Sequence, residues 1–199
     1  YHFFLQRYAR YIEPVAFTYA CWVMQNHFHF LVRTKTAEEQ EGTAEETLKV
    51  SETFRVLEPS QQFSNLFNSY AQAFNKTNDR TGSLFEHPFH RIEVATDAYF
   101  VHLITCIHQN LQFHGFVDDF RGWPFSSYQA ILSRQATRLR RNETLDWFGG
   151  REGFPDCHGA GVELQPVASL VLEEDHRASR RHSRAASHWR RGSGSERSV

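Results

Sequence analysis

Apolar positions recur along the chain with two different periods, and the switching between them predicts its elements. Phe4, Leu5, Tyr8, Tyr11 and Ile12 fall at helical spacing within residues 3–12. Pro14 ends that helix, because the residue before a proline is pushed out of the α region. Across residues 15–32 β-branched and aromatic side chains dominate, broken by Gln25 and Asn26, which predicts two strands joined by a tight turn. Residues 34–59 are rich in Glu, Thr, Lys and Ser with few apolar anchors, and are expected to form a solvated loop.

Phe63, Leu66, Phe67, Tyr70, Ala71 and Phe74 then mark one face of a helix with Ser60 as its cap. Residues 78–82, rich in turn formers, end it. Residues 83–94 read as a strand or hairpin interrupted by Pro88. Thr96 or Asp97 caps a long helix through His114, with Phe100, Leu103, Ile104, Ile107 and Leu111 as its stripe and Gly115 as its left-handed stop. Two short helices follow, at residues 126–133 and at residues 143–148 with Asn142 as cap and Gly149 and Gly150 as stop. Past Phe154 the periodic pattern gives way to Gly, Ser, Ala, Arg and His. A boundary is therefore expected there: a domain over residues 1–154 and a disordered Arg/Ser/Gly-rich tail over residues 155–199.

Length and composition narrow the picture. A chain of 199 residues suffices for one domain with a sizeable core. Because it begins at Tyr1 and holds a single methionine, Met24, it reads as a fragment. No apolar run approaches the roughly 20 residues that span a bilayer, so a cytoplasmic protein without a membrane partner is expected. Cys21, Cys106 and Cys157 are odd in number and far apart, which argues against a disulfide framework or a thiolate zinc site. The formal net charge of −1 gives no global signal for a polyanion. Local charge does vary: residues 38–58 are acidic, whereas residues 177–197 carry seven Arg against one Glu.

The candidate chemistry starts at His27-Phe28-His29. On a strand, side chains alternate faces, so both imidazoles project to one side and Phe28 and Phe30 to the other. Two nitrogens can thus meet one metal. With 12 His in 199 residues such a pair arises by chance about 0.7 times, so the motif means little without context.

Context comes from a collinear series of segments. The run 22–32, the segment Gly82-Ser83-Leu84-Phe85-Glu86 with Arg91-Ile92, the helix segment from Cys106-Ile107-His108-Gln109-Asn110 through Val117, and Trp123-Pro124-Phe125-Ser126-Ser127-Tyr128 together resemble the single-tyrosine HUH transposases, of the REP-associated type. The likeness spans about residues 1–154. It implies an α+β fold, a ferredoxin-like antiparallel sheet with the His-x-His strand central and helices packed on one face. It also implies that a first strand normally precedes Tyr1, so the N-terminal strand is expected to be missing.

For function the resemblance implies DNA transposition chemistry: metal-dependent single-strand cleavage and rejoining by transesterification, in which a helix tyrosine attacks a DNA phosphate. His27 and His29 are the implied ligands of Mg²⁺ or Mn²⁺, completed by Asn110 one turn after the nucleophile position. Two imidazoles and an amide oxygen suit a loosely held cation that keeps places open for phosphate oxygens.

The chain departs from the pattern where it matters most. Cys106 occupies the position of the family tyrosine, and Leu111 stands where a proline commonly follows the asparagine. Nothing obvious lowers the Cys106 pKa, and neither Tyr99, about 10.5 Å back along the helix axis, nor Tyr70, on the apolar stripe, replaces the phenol. Activity is expected to be impaired, and the alternative is a protein that binds DNA hairpins without cutting them. Lys76, Arg80, His87, His90 and Arg91 are the candidate phosphate contacts. The expected partner is single-stranded or hairpin DNA, with a homodimer allowed. A zinc hydrolase using His27, His29 and Glu86 as base is a third reading, from a different class.

Overall fold

Helix α1 (His2–Ile12) forms where the first apolar stripe falls, and it buries Phe4, Tyr8 and Ile12. The chain then reverses into β1 (Ala16–Val23) and β2 (Phe28–Thr34), which pair antiparallel. The hairpin closes where Met24 N–H donates to the His27 carbonyl at 2.8 Å. The structure is a computed structural model and describes residues 1–25, 27–47, 55–85 and 91–159. All of them belong to one unit, Tyr1–Ala160.

The hairpin register explains which face each residue takes. Trp22 pairs with His29 and Val23 with Phe28, whereas between Thr18 and Ala20 the ladder shifts by one residue. Such a bulge lets Tyr19 and Ala20 join the same core cluster in spite of their adjacent positions. β1 makes isolated bridges besides its ladder with β2, from Thr18 to Leu139 and from Trp22 to Ser126. Among the described residues it is therefore β1, not the His-x-His strand β2, that has neighbours on both edges. Two paired strands are described.

Residues 34–59 depart from the expected loop. Ala37–Thr47 is a helix, α2, with Glu38 and Glu39 in its first turn, where carboxylates favour the positive helix end. Polar residues anchor it: the Gln40 side chain, 4% exposed, donates to the Leu57 carbonyl and accepts from the Leu57 N–H, and the Glu39 carboxylate accepts from both Arg33 Nη atoms and from Thr36 N–H. A composition count misses such anchors, because polar clasps substitute for an apolar stripe. Residues 48–54 lie outside the described residues.

α3 (Pro59–Thr77) carries the second apolar stripe; Pro59 occupies its first turn and Glu58 its N-cap position, so Ser60 lies inside the helix instead of capping it. The expected strand over residues 83–94 is not found in the described part of that segment, and residues 86–90, with Pro88, lie outside it. α4 (Asp97–Phe113) is capped by Thr96, whose Oγ1 accepts from Tyr99 N–H, and Gly115 follows at φ +69°. A 3-10 turn (Phe120–Gly122) leads to α5 (Ser127–Leu132), capped by Ser126. α6 (Arg141–Trp147) has Arg140 at its N-cap, so Asn142 is not the cap; Gly149 and Gly150 stop it at φ +70° and +100°. α7 (Gly153–Gly159) runs past the boundary expected at residue 154 and buries Phe154 and His158; residues 160–199 lie outside the description.

The chain is thus mixed α and β: a two-stranded antiparallel sheet with helices against it. Those helices cover both faces, where packing on one was expected. α1 and α3 enclose Phe28, Phe30 and Val32, while Tyr19, Trp22 and Leu31 pack with residues of α4, α5, α6 and α7. Strand alternation is the reason, since both sides of this hairpin carry large apolar side chains. No helix among the described residues is long and apolar enough to cross a membrane.

Candidate functional site

β2 begins at Phe28, so His27 leads into the strand and His29 lies within it. The two imidazole rings stand 5.9 Å apart at 80°. Both lean on Trp22, at 4.7 Å and 4.8 Å, and Trp22 is fully buried opposite His29. Phe28 and Phe30 turn the other way, onto Phe4 and Tyr8 of α1. The expected grouping of the imidazoles on one side is present.

Burial first, and then the neighbouring His27 and His114, push the His29 pKa down to about 4. The ring is consequently neutral near pH 7, and a neutral imidazole keeps a lone pair for a metal or a proton. His114 follows the last turn of α4; its ring meets Phe116 at 6.3 Å, and Phe116 meets His27 at 5.9 Å. The end of α4 is thereby brought to the imidazole pair.

On α4, Cys106 is buried and its Sγ lies 3.4 Å from His102 Nε2. Burial pushes the thiol pKa up to about 11, so it holds its proton at neutral pH and is a poor nucleophile. One turn on, Asn110 is 7% exposed and its Oδ1 is buried without a hydrogen-bond partner. Such an acceptor costs about 1–3 kcal/mol, which a bound donor or cation would offset. Leu111, where the family pattern has proline, is fully buried in the core.

Tyr99 and Tyr70 are both partly buried, and Tyr70 packs among Phe3, Phe4, Phe74 and Phe85 as its place on the apolar stripe predicts. Among the described residues, no three His, Cys, Asp or Glu side chains gather as a metal cluster; the expected set contains two histidines, with an amide as the third member. Lys76 and Arg80 are exposed at and just beyond the end of α3, with the Arg80 guanidinium 5.8 Å from the Phe74 ring centre. Arg91 is exposed on the segment leading to α4. His87, His90 and Glu86 lie outside the described residues.

Set beside family models, curated proteins and solved structures, the chain matches none. Its own geometry must carry the reading.

A second constellation was not expected from the sequence. His108 and His158 are fully buried on α4 and α7, with His108 Nδ1 2.9 Å from His158 Nε2. His108 Nε2 lies 2.7 Å from Ser127 Oγ, and His158 Nδ1 lies 2.7 Å from the Phe154 carbonyl. A carbonyl only accepts, which assigns the proton to His158 Nδ1, and the other protons then follow in neutral rings. His108 Nδ1–H donates to His158 Nε2, Ser127 O–H donates to His108 Nε2, and Ser127 Oγ accepts from Cys21 N–H at 2.9 Å. This chain of hydrogen bonds joins α7, α4, α5 and β1. His108, His158 and Ser127 are all buried, and the bonds between them tie α7, α4 and α5 together. The four-residue spacing of Phe154 and His158 was the available signal, hidden by the change of composition around it.

Proposed function

We propose that this chain is a DNA strand-cleaving fold of the HUH transposase type, built around a ferredoxin-like sheet, whose own cleavage chemistry is impaired at Cys106. One observation carries the reading: a pair of imidazoles, His27 and the neutral His29, lies beside a helix that holds a buried amide oxygen, Asn110 Oδ1, without a donor. Two imidazoles and an amide oxygen fit Mg²⁺ or Mn²⁺. Bound there, the cation would supply Lewis acidity toward a phosphate oxygen.

The chain's own residues account for the rest. His27 and His29 would offer ring nitrogens, with Trp22 fixing both ring planes from behind. Asn110 would add its Oδ1, and Lys76, Arg80 and Arg91 would meet phosphates of single-stranded or hairpin DNA. In the full reaction a phenol oxygen would bond to phosphorus while the ester P–O bond breaks and a hydroxyl end leaves. Cys106 offers instead a protonated thiol within the core. That observation favours a second reading, a protein that binds DNA hairpins and does not cut them.

The test is incubation of the protein with Mn²⁺ and a labelled DNA hairpin, as the native chain and as Cys106→Tyr. Expected are binding without cleavage by the native chain, and cleavage with a covalent adduct by the variant. Binding without cleavage in both forms leaves the second reading. Mn²⁺ binding that survives His27→Ala unchanged overturns the metal assignment.

A further inference from the structure

On the opposite side of β2 from the imidazoles, α3 and the segment after it enclose a groove of about 240 Å³. Its floor is a row of amides, Asn68, Gln72 and Asn75, spaced four and three residues apart and so on one helix face. Its apolar walls include Phe67 and Phe85, whose rings stand 5.0 Å apart at 51° and both meet Phe28.

The groove is built rather than accidental. Gly82, at φ +90°, turns the chain back along α3, and its carbonyl accepts from Asn75 Nδ2 at 2.8 Å. Ser83 Oγ then donates to the Phe85 carbonyl at 2.6 Å, which fixes the returning wall. Among the described residues, no ionisable side chain lines the groove, and cations stand at its rim. Lys76 follows Asn75 directly, and Arg80 is tied to it by its N–H on the Asn75 carbonyl at 2.9 Å. Asp79 is exposed in the same turn, so the described rim residues Lys76, Asp79 and Arg80 sum to a positive charge.

Neutral amides offer donors and acceptors together, and aromatic walls offer stacking. The volume, below the roughly 300–1,000 Å³ of drug-sized pockets, suits one flat heterocycle. Asn and Gln side chains read base edges, and unpaired bases stack on aromatic rings. We propose that the groove takes the base of one unpaired nucleotide, read by Asn68 and Gln72, while the neighbouring phosphates lie on Lys76 and Arg80. This deepens the strand-binding reading above and rests on it for the identity of the ligand as DNA. Phe28 and His29 point to opposite faces of β2, so the base site is separate from the imidazole pair.

The experiment uses the full chain in EDTA, which removes any contribution of a bound cation. The probe is an eight-unit abasic phosphodiester strand, with or without one central 2-aminopurine, followed by fluorescence and anisotropy. The strand with the base should bind about 10-fold more tightly than the bare strand, with its fluorescence quenched, as expected for one well-read base. Gln72→Ala and Asn68→Ala, both exposed helix positions where alanine is well tolerated, should erase that difference. Lys76→Ala should weaken both strands equally. Free 2-aminopurine riboside should compete far less well than the strand; competition at equal strength would overturn the role of the phosphates. Equal binding of the two strands, or a base effect untouched by both amide variants, would overturn the groove assignment. Because every one of these measurements is made in EDTA, the metal reading stands or falls separately, on Mn²⁺ binding.

Discussion

Buried acceptors almost always find a donor, and Asn110 Oδ1 has none among the described groups. A residue kept at such a cost invites a direct trade between stability and binding. Asn110→Leu removes the orphan oxygen at similar volume, so the metal-free variant should unfold at the same urea concentration as the native chain or higher. The same variant should lose any Mn²⁺-dependent rise in melting temperature. A large loss of metal-free stability would mean that the oxygen is already satisfied in solution. The paired histidines make a second prediction at this scale. Burial, and then the neighbouring His158, holds His108 well below its ordinary value; burial, against the hydrogen bond to the Phe154 carbonyl and with the Arg121 charge, holds His158 down at about 4, so both are neutral when folded. The unfolded chain takes up protons first as the pH falls through about 6.5, and stability is lost from there down to about 4. Above pH 6.5 this contribution is complete and flat. Urea melts across pH 4–8 should show that slope, and His158→Phe should reduce it.

Single positions at element ends decide how helices meet. Gly153 opens α7, and an added Cβ there would overlap the Phe148 carbonyl oxygen. Since backbone cannot yield cheaply, Gly153→Ala should destabilise the unit by about 1–3 kcal/mol, the range of overpacked sites, measured by chemical denaturation. Thr96 has a different duty, supplying the oxygen that receives Tyr99 N–H at the start of α4. Thr96→Ala should cost about 1 kcal/mol, and Thr96→Ser much less, because serine restores the oxygen. If both variants behave alike, the cap is not what begins the helix. α2 shows the reverse case: its sequence lacks an apolar stripe, and the Gln40 clasp on Leu57 takes the place of one.

At the scale of the whole molecule, one hairpin separates two cores and thereby two candidate functions. Trp22 and the imidazoles look toward α4, while Phe28 and Phe30 look toward α1 and α3 with the amide groove beyond. The sequence by itself determined α1, the hairpin, α3 and α4, because each is written in a local period, a cap or a stop that needs no distant partner. It determined as well that His27 and His29 share a face, since alternation along a strand is a local rule. Only the tertiary structure decided that helices cover both faces, that the Gln40 amide of α2 clasps Leu57, and that His158 reaches His108 across 50 positions of chain. Those outcomes depend on side chains brought together from far apart, and no local period records such a meeting. Asn110 shows the division within one residue: its place one turn after Cys106 could be read from spacing, whereas its unsatisfied oxygen exists only because the surrounding core excludes both water and a donor.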